Sequence, residues 1–368
     1  MHLSKFYFLS VFFLFLNCSS NSSDEETIPT NPTTLYFPPI SGTAWQSTSA
    51  ESLGWNTSKI QPLYDFLQTG NTRAFIVLKD GKIVLEKYFG NNLANTAAFD
   101  TTSRWYWASA GKTITSLLVG ISQSEGKLNI NDKTSKYLGT NWTNENLTQE
   151  NLITIKNQLS MTSGLDDGVT DNHCTDPSCL VYKADAGTRW AYHNAPYTLL
   201  DKVLNSATGK TLTQLTSEKI GSKIGMNGLW APSNYDNVYY STAREMARFG
   251  LLILNKGKWD TTSVLSDANY YNEMTTTSQN INLSYGYLWW LNGKSSSMYP
   301  GSQVVFPVSI TPNAPSDMFS ALGKNGQFID VVPSKNIVVI RMGDNPDATE
   351  VPIIFHDDMW KKLSEIIN

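Results

Sequence analysis

Hydrophobic and polar positions along this chain change rhythm several times, and each rhythm predicts an element. From Phe6 to Leu16 the residues are apolar or small without interruption behind a single Lys5, a run too short to span a bilayer as a mature helix. The polar stretch that follows carries Pro29, Pro32, Pro38 and Pro39, a composition that cannot bury enough apolar surface to fold. A helix is predicted near Ser58 to Leu67, then two β-runs between Ala74 and Phe89 around Asp80-Gly81, a strong hairpin signal. Ile114, Leu117, Leu118 and Ile121 recur at helical spacing with Gly126 beyond the end, which starts a helix at Ser109. Further helices are predicted near Tyr197 to Ser206, Leu212 to Ile220 and Ala243 to Leu254. Past Phe319 the pattern reads as strands over Gln327 to Val332 and Ile337 to Met342, with a turn at Pro333 to Asn336, and Ile353 to Ile367 closes as an amphipathic helix.

Strand pair, helical middle, strand pair and closing helix together predict an α/β fold of the α+β type. Its antiparallel sheet is built from both chain ends and flanked by helices, with a mostly helical subdomain inserted. The expected division is a signal peptide over 1–17, a lipidated N-terminus and flexible tether over 18–50, and one large domain over 51–368. A length of 368 residues fits one such domain better than a string of modules.

Composition narrows the partner. Charged residues are 16% of the chain, the net charge is -4, and no basic run occurs, which argues against nucleic acid and for a small neutral or polar molecule. Cys18 follows Phe15-Leu16-Asn17 and precedes a Ser/Asn/Asp/Glu-rich run, an arrangement that resembles a bacterial lipoprotein signal, although a small residue is usual where Asn17 stands. The resemblance implies a lipid on Cys18, membrane attachment through it, and a periplasmic or cell-surface location in a bacterial envelope. An ordinary secretory signal with an incidental Cys18 is the alternative, and either one exports the chain. The count of three cysteines resolves if Cys174 pairs with Cys179 in an oxidising compartment. A metal site from His173, Cys174 and Cys179 has no fourth ligand at a plausible spacing, so no metal is expected.

The candidate chemistry centres on Trp107-Ala108-Ser109-Ala110-Gly111-Lys112-Thr113. Side chains at i and i+3 share a helix face, so the Ser109 hydroxyl and the Lys112 amine can meet, and the helix start favours developing negative charge. For Lys112 to accept a proton near neutrality its pKa must fall by roughly 3 units, a cost of about 4 kcal/mol. Alone, Ser-x-x-Lys is more ordinarily a helix-capping serine beside a solvated lysine. Gly111-Lys112-Thr113 and Gly209-Lys210-Thr211 imitate the end of a phosphate loop, but Tyr106 and Leu204 stand where the first glycine is required. Gly-x-Ser-x-Gly is missing, which disfavours a Ser-His-Asp hydrolase, and His193 is read as a surface or core residue.

Four further stretches change the balance. Ile153 to Leu159 leading into Met161-Thr162-Ser163-Gly164-Leu165, then Gly187-Thr188-Arg189-Trp190-Ala191-Tyr192-His193-Asn194, then Tyr240 to Gly250, and last Gly323-Lys324-Asn325-Gly326-Gln327 follow the serine motif in order. With it they resemble the class C β-lactamase, penicillin-binding protein and esterase superfamily, in its esterase and 6-aminohexanoate-dimer hydrolase-like branch, from about Phe75 to Gly343. The resemblance implies that Ser109 is the acylated nucleophile, that Tyr192 of a Tyr-x-Asn motif shares its proton with Lys112, and that Asn194 bonds Lys112 or substrate. It places Lys324 on a strand edge facing the cleft, as a carboxylate site or simply a solvated lysine. It gives Gly326 the role of letting substrate approach the backbone, and makes the N–H groups of Ser109 and Gln327 the oxyanion hole. Asn325 replaces the usual Thr or Ser, which turns the expectation from β-lactams toward esters and amides. The chain is thus expected to be an exported serine hydrolase cleaving a small ester, amide or peptide through a Ser109 acyl-enzyme, without a cofactor. A β-lactamase or D-amino-acid peptidase on the same site, or a non-catalytic penicillin-binding-like protein, are the alternatives.

Overall fold

The structure, a computed structural model, describes residues 34–367. Its strands are β1 (Thr72–Lys79), β2 (Lys82–Tyr88), β3 (Arg104–Tyr106), β4 (Leu229–Ser233), β5 (Asp236–Thr242), β6 (Lys258–Trp259), β7 (Thr262–Ser263), β8 (Trp290–Leu291), β9 (Phe319–Gly323), β10 (Gln327–Val332) and β11 (Ile337–Gly343). Six of them make one antiparallel sheet in the order β2-β1-β11-β10-β9-β8. The two chain ends meet as expected: β1 lies along β11 from Thr72 opposite Gly343 to Lys79 opposite Ile337. Apart from Arg341 in β11 and Gln327 and Asp330 in β10, both strands are apolar, and they are buried throughout, as strands covered on both faces must be.

The Ala243–Leu254 helix packs against β10 and β11, opened by a capping box in which Thr242 accepts from Glu245 N–H while the Glu245 carboxylate accepts from Thr242 N–H. The Ile353–Ile367 helix is fastened through Asp330 of β10, whose carboxylate accepts from Trp360 Nε1 at 2.7 Å and meets His356 Nε2 at 2.9 Å, all three fully buried. Such a group is stable inside only because each of its polar atoms has a partner.

The expected helices at Tyr197 to Ser206, Leu212 to Ile220 and Ala243 to Leu254 are present in broken or whole form. The middle of the chain is less purely helical than its periodicity suggests, because β3, β5 and β4 form a second, three-stranded sheet there. The helix expected near Ser58 to Leu67 is α1 (Ile60–Thr69), and the one expected from Ser109 begins at Lys112: Ala108–Gly111 is a tight 3-10 turn leading into α2 (Lys112–Ser124).

At the N-terminal side the expected boundary at residue 50 needs correction. Residues 34–50 pack on the domain: Tyr36 N–H donates to Asp80 O at 2.9 Å, Ser47 bridges Ile83, Arg248 donates to Pro39 O at 2.8 Å, and Phe37 meets the ring of Trp259 edge-on. The prolines hid this, since the segment contributes aromatic side chains and carbonyls and no regular element. The signal over 1–17, Cys18 and the first part of the tether lie outside the described residues.

Candidate active site

Ser109 is held by two sheets at once. Trp107 N–H donates to Tyr239 O of β5 at 2.8 Å, and the Trp107 indole donates to Ser241 Oγ at 2.8 Å, so the turn entering α2 hangs from β5. On its other side lies β9, where Gly323 comes so close that a Cβ there would stand 2.5 Å from Trp107 O and 3.0 Å from Ala110 N. Between these supports Ala108 adopts φ 47, a left-handed conformation that a residue with a Cβ enters at a cost. The turn thereby lifts Ser109 to the wall of a cleft of about 320 Å³.

One turn on, Lys112 Nζ donates to Ser109 Oγ at 3.0 Å and to Asn194 Oδ1 at 3.0 Å. Its ammonium sits 4.2 Å from the centre of the Tyr197 ring and 5.4 Å from that of Tyr192. No carboxylate among the described residues bonds to it, and burial pushes its pKa down to about 8, against a weaker upward pull from Asp236, Asp201 and Glu350. α2 can carry this buried amine because its other polar groups are satisfied: Ser116 Oγ donates to Tyr287 O at 2.7 Å and Thr113 Oγ1 to Ala110 O at 2.8 Å.

Tyr192 arrives on the segment that the Met161–Gly164 bend supports. Ala191 N–H donates to Met161 O at 2.9 Å and Gly187 N–H to Thr162 O at 2.8 Å. The Tyr192 ring stacks on Trp290 at 5.8 Å and meets Tyr285 edge-on, both buried. Burial raises its phenol well above the usual tyrosine range, and the neighbouring Ser109 hydroxyl pulls the other way. Asn194 opens the Asn194–Thr198 helix, and its Nδ2 donates to Asn172 Oδ1 at 3.2 Å and His173 Nε2 at 3.1 Å. His173 Nδ1 in turn bonds the Asp236 carboxylate.

Residues 71–348 match the family model described as Beta-lactamase. The chain belongs to the Beta-lactamase family. Among curated proteins it is 28% identical over 158 residues to protein flp of Staphylococcus aureus, a match covering 39% of this chain and 32% of that protein. The chain thus spans about a third of the length of that relative. It is 21% identical over 329 residues to an uncharacterized protein of Alkalihalophilus pseudofirmus, covering 80% and 89%. Among solved structures it shares the fold of a proposed 6-aminohexanoate-dimer hydrolase from Bacillus anthracis (TM-score 0.66, 18% identity, 91% of this chain and 88% of that one). It also shares that of a penicillin-binding protein homolog from Caulobacter crescentus (TM-score 0.64, 13% identity, 84% and 98%).

Of the positions expected to serve a Beta-lactamase family site, Ser109, Lys112, Tyr192, Asn194 and Lys324 all line the one cleft. Gln327 and Gly326 do not. The Gln327 side chain is fully buried behind the cleft wall, giving its Nε2 to Gly343 O at 2.7 Å and taking Gly343 N–H at 3.1 Å. Gly326, at φ 78, leaves room for a guanidinium and not for substrate: a Cβ there would stand 2.3 Å from Arg341 Nη1. The glycine against the nucleophile turn is Gly323, three residues earlier. Lys324 is exposed and ion-paired with Glu350 at 3.3 Å. Cys174 and Cys179 are joined as a disulfide. Sequence reasoning missed Asn172, Asp236, Tyr197 and Glu350 as cleft residues and considered His173 only as a metal ligand. His193 is a core residue, 2% exposed and pushed down to about 4 by burial, so it stays neutral.

Proposed function

We propose that the chain is an exported hydrolase that cleaves an ester or amide through an acyl-enzyme on Ser109. The observation that carries this reading is the 3.0 Å contact between Ser109 Oγ and a buried Lys112 amine whose pKa is brought down to about 8. A substantial fraction of such an amine is neutral near pH 8 and can take the serine proton. Tyr192, held above its usual range, stays a neutral phenol and is the acid of the pair. In the first step Ser109 Oγ bonds the acyl carbon while its proton passes to Lys112. Collapse of the tetrahedral species breaks the bond to the leaving group, which takes a proton from Tyr192. The proton held by Lys112 then returns to the Tyr192 phenolate, water attacks the acyl carbon as Lys112 takes its proton, and that proton passes to Ser109 Oγ as the serine leaves.

The N–H of Ser109 is one donor of the oxyanion hole. The second is the N–H of Lys324, the residue that follows Gly323 at the nucleophile turn, in place of Gln327. Ester or amide substrates are favoured over β-lactams and D-peptides by the turn after β9. Asn325 there has φ 63 and ties its amide to Tyr106 Oη at 2.8 Å, and the Lys324 ammonium already faces Glu350 instead of standing free for a substrate carboxylate. Export, and attachment through a lipid on Cys18, rest on the N-terminal pattern. Short-chain nitrophenyl esters and a chromogenic cephalosporin, each given to wild type and Ser109→Ala, test the reading. Ester turnover that Ser109→Ala abolishes, with slow or no cephalosporin turnover, is expected; efficient cephalosporin turnover would move the chain to the β-lactamase alternative.

A further inference from the structure

A histidine and an aspartate that face the cleft have no place in the acyl-transfer steps above. His173 immediately precedes the loop closed by the Cys174–Cys179 disulfide, and Asp236 opens β5. Asp236 is anchored by Thr198 Oγ1, which donates to its Oδ1 at 2.7 Å, while its Oδ2 bonds His173 Nδ1. Those bonds hold the Asp236 carboxyl below its usual range against burial. A carboxylate at Nδ1 places the imidazole proton there and leaves Nε2 as a lone pair. That lone pair lies 3.1 Å from Asn194 Nδ2.

The consequence concerns an amide that has two ways to sit. Asn194 can turn its oxygen or its nitrogen toward Lys112, and only the oxygen accepts from the ammonium. Asn172 Oδ1 and His173 Nε2 are both acceptors facing the Asn194 nitrogen, so they fix the oxygen toward Lys112 Nζ. We infer that His173, oriented by Asp236, is a positioning residue that holds Asn194 in the orientation Lys112 needs to meet Ser109. A proton on Nε2 would reverse the logic, since an N–H would then face the Asn194 NH2, and the amide would be driven to turn. Around His173 the charged and titratable groups include Asp236 on β5, Asp171 two residues earlier, whose carboxylate accepts from the His173 N–H, the buried His193, and Lys112 on α2, reached through Asn194. Tyr192, Tyr197, Lys324 and Glu350 line the same cleft.

This inference rests on the hydrolase reading, and the test separates the two. Wild type is first treated with a fluorophosphonate and weighed intact; if Ser109 is not labelled, the hydrolase reading fails before His173 is tested. Given labelling, kcat and KM for a nitrophenyl ester are measured for His173→Ala, Asn194→Ala and the double variant. His173→Ala is expected to lower kcat about ten- to a hundredfold with KM little changed, by leaving a buried amide N–H without its acceptor. In the Asn194→Ala background the same change should cost less than about twofold, because there is no amide left to orient. His173→Gln, which offers an oxygen near the place of Nε2, should recover most of kcat. Additive losses in the double variant, or a His173→Gln enzyme as slow as His173→Ala, would overturn the proposal even with Ser109 fully labelled.

Discussion

At the scale of single residues the site depends on an amine stripped of water. Lys112 is buried under two phenol rings, and no bonded carboxylate compensates its charge, so the protonated form is the costly one. Because its pKa falls to about 8, the active neutral form is scarce at pH 6 and predominates at pH 9, and kcat/KM is predicted to rise through about pH 8. A flat profile over that range would contradict the assignment of Lys112 as base. Lys112→Arg keeps a positive charge that cannot be given up, and should lower kcat by about 10²–10⁴-fold in steady-state assays. The Ser109–Lys112 pair was legible in the sequence because its geometry is local: three residues along a helical turn decide it. His173 with Asp236 was not, since the two meet from 63 positions apart and only the folded β5 brings them together.

Among the elements, the turn between β9 and β10 explains both the success and the error of reading motifs. That a glycine-bearing strand follows the tyrosine segment and closes the cleft was readable; which glycine meets the nucleophile was not. The close approach belongs to Gly323, whereas Gly326 answers to the buried Arg341, which also donates to Asn325 O at 2.9 Å and thereby shapes the turn from behind. Gly323→Ala is therefore predicted to push β9 off the Trp107 carbonyl and cut kcat/KM about a hundredfold, measured with the same esters. Gly326→Ala, working against φ 78 and the guanidinium, should appear mainly as lost thermal stability. A second element-scale prediction concerns the closing helix. Asp330→Ala strips His356 and Trp360 of their buried acceptor and should destabilise the domain by about 2–4 kcal/mol in urea unfolding.

For the whole molecule, the sheet joined from both chain ends was predictable because each half carried a clear strand rhythm, and antiparallel pairing of β1 with β11 is what brings the serine turn and the Gly323 strand together. The three-stranded sheet of β3, β5 and β4 was hidden, since short strands amid Asn, Tyr and Ser give no clean alternation. Yet it is the support from which the Ser109 turn hangs. The hold of residues 34–50 on Arg248 and β2 was concealed likewise by a proline-rich composition. The account stands or falls on Ser109 being the atom that takes the acyl group. Intact-mass measurement after incubation with a fluorophosphonate is predicted to show one covalent adduct on the wild type and none on Ser109→Ala. An unmodified wild type, or an adduct that persists in Ser109→Ala, would contradict it.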